Sequence, residues 1–334
     1  MISFILDIFN FIIFFTKKYE IGFFVENKNI FEYLKPYLLK KSKKKKIAVI
    51  TFEKLDKINF NVDIYYFKSN LIRELVFSTL KLKFLYSSTP NLNNNIFKKS
   101  KFSSCKYIYL QHSLCSVSMI YNSNAFDNFD AVQSVTNYQF EEYQKIKKLK
   151  KLKYKIFKSN YLFLKEKFKK KKTHNFCKIL VAPTWKTNFY KLKIHKKLND
   201  LFMNNNIEFD FRPHPMSLKK EEISIKELQS LNIKLNVDTN LNYLDYEILI
   251  TDWSGIFLEF ALINKKVLLI ETEKKVLNYE YEKLNIKPAE IKFRDVLAKN
   301  FDLRNLNLII PEIKNELKKN NNSFINIDKF YFDI

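Results

Sequence analysis

The chain has 334 residues, and its 59 Lys and Arg against 35 Asp and Glu give a formal charge of +24. Apolar residues at 46% suffice for a sizeable core, which excludes a disordered or collagen-like chain, and the length fits one large domain or two of roughly 160 residues. With only two glycines there is no GxGxxG fingerprint and no Walker A loop, and Asn is expected wherever turns and helix ends need positive φ.

Residues 2–15 form an apolar run broken by Asp7 and Asn10. It is shorter than the about 20 residues of a membrane span, and it lacks the basic start and small-residue cleavage site of a signal peptide. Two readings stand: a buried first helix, or a helix in a membrane interface with Lys17, Lys18 and the lysines of 40–46 meeting anionic headgroups. Residues 1–45 are therefore read as an N-terminal helical segment. Strands are expected at 47–52, 62–67, 84–88, 106–110 and 131–135, and helices at 70–82 and 139–153. The second helix starts with acids and amides and ends in lysines, as the helix dipole prefers. Strands alternating with helices predict βαβ units and a parallel sheet over 46–165. The lysine run 165–173 reads as a solvated linker and domain boundary. The pattern restarts over 174–334, with strands at 179–181, 209–212, 248–250 and 267–270 and helices at 191–203, 219–231 and 254–263.

Only Arg73, Arg212, Arg294 and Arg304 are arginines. The lysine excess reads either as the drift of an AT-rich genome or as attraction to polyanions. Scarce Arg disfavours nucleic acid, whose readout uses bidentate Arg contacts. Cys105, Cys115 and Cys177 are odd in number and form no CxxC, which suits a reducing compartment. No Cys/His cluster or HExxH is present, so neither metal nor cofactor is expected. His174 and His195 lie among lysines and read as surface residues.

Four segments at predicted strand ends carry chemistry. In Thr251-Asp252-Trp253-Ser254-Gly255, a tight turn with hydroxyls and an acid precedes a helix. This suits a phosphate, with Gly255 permitting close approach, though Asp252 or Ser254 could simply cap the helix. In Arg212-Pro213-His214-Pro215 a histidine sits on a stiff loop, fit to meet a diphosphate or act as an acid, with Arg212 as a phosphate contact. In Gln111-His112-Ser113 a histidine at a strand end suits a general base. The downstream segment with Tyr121, Phe126, Asp127, Phe129 and Asp130 shapes an acceptor pocket or packs the domain. In Ala182-Pro183-Thr184-Trp185, Thr184 could touch phosphate and Trp185 floor a pocket.

Together, Val181-Ala182-Pro183-Thr184-Trp185, Arg212-Pro213-His214-Pro215, Thr251-Asp252-Trp253-Ser254 and the stretch 262–270 resemble the CDP-glycerol glycerophosphotransferase family of teichoic-acid and capsule synthesis. Gln111-His112-Ser113 resembles the family's histidine motif, with serine in place of glycine. Gly255 stands where the family carries a second serine, and Ser159-Asn160-Tyr161 where it carries a Gly-Tyr-Pro-like turn. The resemblance implies an α/β, GT-B-like fold of two Rossmann-like domains facing across a cleft, with the acceptor domain at 46–165 and the nucleotide-donor domain at 174–334. It implies His112 as acceptor-side base, His214 as donor-side histidine, and Thr251, Asp252 and Ser254 at the donor diphosphate. The implied reaction passes a polyol-phosphate unit from a CDP-alcohol to a hydroxyl of a surface glycan or lipid-linked acceptor, releasing CMP. The implied place is the cytoplasmic face of the cell membrane, with an anionic membrane surface as a partner. Two alternatives stay open: a GT-B glycosyltransferase using a CMP- or UDP-linked sugar in capsule or lipopolysaccharide synthesis, and a non-enzymatic lysine-rich polyanion- or membrane-binding protein.

Overall fold

Short apolar runs between lysine-rich turns build two parallel sheets. The computed structural model describes residues 2–56, 61–93, 96–168, 177–238 and 241–318. The first half contains helix α1 (Ile2–Thr16), strand β1 (Ile21–Val25), α2 (Lys28–Ser42), β2 (Ile47–Thr51), β3 (Val62–Tyr66), α3 (Asn70–Thr79), β4 (Phe84–Ser87), β5 (Lys106–Tyr109), β6 (Ala131–Ser134), α4 (Asn137–Leu149), β7 (Lys155–Lys158) and α5 (Leu162–Phe168). Its seven strands run parallel in the order β3-β2-β1-β4-β5-β6-β7. Every residue of β2 is buried, as expected of an inner parallel strand covered on both faces.

The second half contains β8 (Ile179–Val181), α6 (Ile194–Met203), β9 (Asp210–Phe211), α7 (Pro215–Lys219), α8 (Ile225–Ser230), β10 (Ile248–Thr251), α9 (Ile256–Leu262), β11 (Lys266–Ile270), α10 (Ala289–Lys292), β12 (Lys299–Phe301) and a last helix, Ile309–Lys318. Its sheet is parallel, in the order β12-β11-β10-β8-β9. One apolar core joins the halves: Leu114, Val135, Tyr161 and Leu164 pack with Leu180, Leu249 and Phe260.

Three sequence expectations change. Residues 1–45 are not a helical segment, because β1 is a central strand of the first sheet. Its pentapeptide IGFFV sits so close to its neighbours that a Cβ on Gly22 would lie 2.4 Å from Leu82 Cδ1. Residues 165–168 are the end of α5 rather than linker, and the rest of the lysine run, like His174, lies outside the described residues. The expected helix 219–231 divides into α7 and α8, because Glu221 adopts φ 57° and the Ser224 hydroxyl caps α8 by accepting from Glu227 N at 3.1 Å.

Among the described residues, ten non-glycine residues have positive φ, and six are asparagines, including Asn264 after α9 and Asn285. The others are Lys151, Lys186, Lys193 and Glu221, and neither glycine is among them.

Helix α1 is buried on one face only. Its inner face is anchored by the buried Asp7 carboxylate, which accepts from Lys68 N at 2.9 Å and Ser69 N at 2.6 Å, and by Asn10, which donates to Tyr66 O at 3.1 Å. Its outer face leaves Ile5, Leu6, Phe9 and Ile12 exposed, beside Leu71 and Leu75 of α3. Asp7→Ala strands two backbone donors and is expected to lower unfolding stability by about 1–3 kcal/mol, read by urea denaturation. An unchanged midpoint would show that α1 is not anchored this way.

Candidate active site

Strand order places the donor-side crevice. In the second sheet β8 and β10 are neighbours although their crossovers leave in opposite directions, so ligands are expected beyond their carboxyl ends. Thr184 and Trp185 follow β8 there, and Asp252, Trp253 and Ser254 follow β10. The Thr251 hydroxyl donates to Ala182 O at 2.6 Å. The Asp252 carboxylate accepts from Thr184 N and from the Thr187 hydroxyl, both at 2.8 Å. Both Thr251 and Asp252 are completely buried. They therefore tie the two loops together rather than line the opening as the sequence suggested. Burial pushes the Asp252 carboxyl above its usual range, against the bonds from Thr184 and Thr187 and the charge of Lys275. Arg294 braces the same turn, donating to Asp252 O at 2.9 Å and lying 4.3 Å over the Trp253 ring.

Thr184 is buried too, and its hydroxyl accepts from Lys275 Nζ at 2.9 Å. Lys275 lies 5.0 Å over the Trp185 ring, and burial lowers its ammonium pKa. Sequence reasoning missed it, since one lysine in a lysine-rich chain carries no local signal. Its only hint is its place beyond β11.

His214 is half-buried and caps α7. Its Nδ1 accepts from Met216 N at 3.0 Å, so the neutral ring carries its proton on Nε2. Burial, then the charges of Lys275, Arg212 and His112, push its pKa down to about 3. Arg212 is half-buried and donates to the Asp238 carbonyl. Ser254 is half-buried at the start of α9. Gly255 has an ordinary φ of −62°, but a Cβ there would lie 2.0 Å from Cys115 Sγ. The close approach expected at this glycine is thus made by a side chain of the other half.

The facing wall is built by the segment after β5. His112 Nδ1 lies 3.2 Å from the Tyr109 hydroxyl, and the imidazole also bonds the Ser88 backbone. The rings of Tyr33 and Tyr121 stand 5.7 and 6.0 Å away. Burial lowers the His112 pKa to about 4. Beyond His112 the chain is clamped from both halves. Gln139 Nε2 donates to Ser113 O at 3.1 Å and Cys115 O at 2.8 Å. Glu142 accepts from the Ser116 hydroxyl at 2.7 Å, the Ser118 hydroxyl at 3.0 Å and Val117 N at 2.6 Å, and burial pushes its carboxyl up to about 7. Glu290 of α10 accepts from Ser116 N at 2.9 Å, and Asn278 Nδ2 donates to Ser118 O at 2.9 Å.

Of the aromatic and acidic residues downstream, Phe126 and Phe129 are core, Asp127 pairs with Lys150 at 2.8 Å, and Asp130 accepts from Tyr107 N at 2.8 Å. They pack the domain, and Tyr121 alone of this set stands by His112. His195, expected at the surface, is only 2% exposed; it packs 5.5 Å from the Tyr190 ring with Glu227 at 3.5 Å.

The charges of the two walls reach one another. A charge on His112 disfavours protonation of His214, and Tyr33 of the first half feels Glu259 and Arg212 of the second. Among the described residues no three His, Cys, Asp or Glu side chains are grouped as metal ligands.

Residues 164–302 match the family model of CDP-Glycerol:Poly(glycerophosphate) glycerophosphotransferase. The chain is similar in fold to the wall teichoic acid polymerase TagF. A His-to-Asn variant of that protein soaked with CDPG superposes with a TM-score of 0.58 at 12% identity, covering 90% of this chain and 81% of that one. A His-to-Ala variant gives 0.56 at 11%, covering 88% and 80%. A putative UDP-N-acetylglucosamine 2-epimerase from Listeria monocytogenes gives 0.54 at 11%, covering 91% and 89%. No curated protein sequence matches the chain. The fold is the GT-B-like arrangement of two α/β halves that the sequence led us to expect.

Gly255→Ala is expected to destabilise by about 1–3 kcal/mol in chemical denaturation, because Cys115 must move. With Cys115→Ala added, the nearest remaining contact is the residue-115 Cβ at 3.7 Å, and most of that loss should return. Additive losses in the double variant would reject the contact.

Proposed function

We propose that the chain is a transferase of the CDP-glycerol glycerophosphotransferase type, moving a polyol-phosphate unit from a CDP-linked donor to a hydroxyl of a surface polymer and releasing CMP. The observation that carries this is the match of residues 164–302, which include His214 and Ser254, to the family model; His112, just past the end of β5, lies near enough for its charge to act on His214. The acceptor hydroxyl attacks the phosphorus bearing the polyol, and its proton passes to neutral His112. The bond from that phosphorus to the bridging oxygen breaks, and the electron pair leaves with CMP. His214 donates through Nε2–H to the leaving phosphate, while Arg212, Lys275 and the Ser254 hydroxyl offset or bind the diphosphate charge. Thr184, Thr251 and Asp252 hold the loops that present these groups. Positioning and charge neutralisation carry most of such a transfer.

The test is CMP release from CDP-glycerol with a glycerol-phosphate polymer as acceptor. His112→Ala and His214→Ala should each reduce turnover by at least about 100-fold, as loss of a general catalyst does. Because burial holds His112 near 4, the acidic limb of kcat/KM should fall near pH 4, and activity should be full above it. Near-parental turnover in either variant would reject its role. Nucleotide release from UDP-sugars in place of CDP-glycerol would favour the sugar-transferase reading, which the likeness to the UDP-N-acetylglucosamine 2-epimerase fold keeps open.

The place we propose is peripheral, at the inner face of the cell membrane, with α1 in the interface. Among the described residues no helix is long and apolar enough to cross a membrane, while Ile5, Leu6, Phe9 and Ile12 present apolar surface beside basic Lys17 and Lys18. Phe9→Glu with Ile12→Glu should release the chain from anionic vesicles in sedimentation without unfolding it. Undiminished binding would reject α1 as the anchor.

A further inference from the structure

Helices cover the α2 face of the first sheet unevenly. Among the described residues, the connections from β4 to β5 and from β5 to β6 contain no helix. Beside the C-terminal half of α2 and the start of α5 the sheet is left open as a cavity of about 600 Å³, walled by Tyr86, Ile108, Leu110 and Phe157. It crosses from β1 to β7, four inter-strand spacings or about 19 Å. It is separate from the histidine cleft. Tyr33 of α2 stands against His112, whereas Tyr37, one turn on, faces this cavity.

The polar groups at its inner end are already engaged. Gln133 Nε2 donates to the Tyr37 hydroxyl at 3.1 Å, Leu162 N donates to that hydroxyl at 3.2 Å, and Gln133 Oε1 accepts from Gln111 N at 3.0 Å. What enters must therefore be largely hydrocarbon. The rim is the opposite: Lys40, Lys41, Lys44 and Lys45 line one side. Lys45 pairs with Glu20 at 3.0 Å, and the Lys41 ammonium lies 4.4 Å over the Tyr86 ring. Lys40 and Lys44 have no carboxylate partner among the described residues. An apolar floor with a cationic rim is complementary to one kind of occupant.

We infer that this groove holds the hydrocarbon chain of an anionic, phosphate-headed membrane lipid, with Lys40 and Lys44 on the headgroup. The site is independent of the transferase reading, and CMP release can stand or fall without it.

The experiment titrates the full chain calorimetrically with a lysophosphatidate below its micelle concentration. Glycerol 3-phosphate serves as the head without a chain and a monoacylglycerol as the chain without charge. Saturable one-to-one binding of lysophosphatidate is expected, weakened at least about tenfold by Lys40→Glu with Lys44→Glu and by Ile108→Trp, with both control ligands at least about tenfold weaker. Lys40 and Lys44 are exposed, so the lysine variant decides the matter if Ile108→Trp unfolds in a parallel thermal melt. Equal binding of glycerol 3-phosphate would make it a free-phosphate site and overturn the proposal. So would undiminished binding in the lysine variant, undiminished binding in folded Ile108→Trp, or absence of saturable binding.

Discussion

The arrangement of the cleft depends on one steric contact, Cys115 against Gly255. His112 lies three residues before Cys115, and Ser254 adjoins Gly255, so the spacing of the two walls is set where sulfur meets a missing Cβ. The segment carrying Cys115 cannot drift, because Glu142 and Glu290 grip its backbone and hydroxyls from opposite halves. Buried carboxylates are costly to keep, and removing one partner leaves orphaned donors, so such clamps tolerate little change.

The chemistry follows from burial as much as from residue type. A histidine in water is partly charged at neutral pH. Here both imidazoles are held neutral, His112 near 4 and His214 near 3. A neutral imidazole can receive a proton or, through its single N–H, donate a hydrogen bond, and the partners decide which. Met216 N occupies Nδ1 of His214 and leaves that ring a donor through Nε2. Pro215 at the first turn of α7 fixes the backbone beneath it.

Much of this was legible in the chain. Parallel strands buried on both faces show as apolar runs, so β2, β8, β10 and β11 were readable, and the motif-bearing loops sit at strand ends as expected. β1 was legible as well, an apolar IGFFV framed by Lys17, Lys18 and Glu20 before it and Glu26 and Lys28 after it, but the longer apolar run of residues 2–15 drew the whole stretch into a helical reading. Thr251 and Asp252 were read toward a ligand because hydroxyls and carboxylates look alike in sequence whether they face a cleft or another loop. His195 misled through its lysine neighbours, while the helical period puts it with Ile194, Leu198 and Phe202 on the buried face of α6. Lys275 and Glu290 were invisible because their partners are 91 and 174 residues away.

Glycine usually performs two jobs, adopting left-handed backbone and leaving room where a side chain would collide. This chain separates them. Left-handed positions have passed to asparagine, lysine and glutamate, whereas Gly22 and Gly255 remain where a Cβ would fall within 2.4 and 2.0 Å of a neighbour. Left-handed backbone at the other residues costs about 1–2 kcal/mol each, whereas a methyl at Gly22 or Gly255 would have to displace Leu82 Cδ1 or Cys115 Sγ. The two glycines that remain thus mark where the backbone passes nearest a neighbouring side chain, one inside the first sheet and one between the two halves.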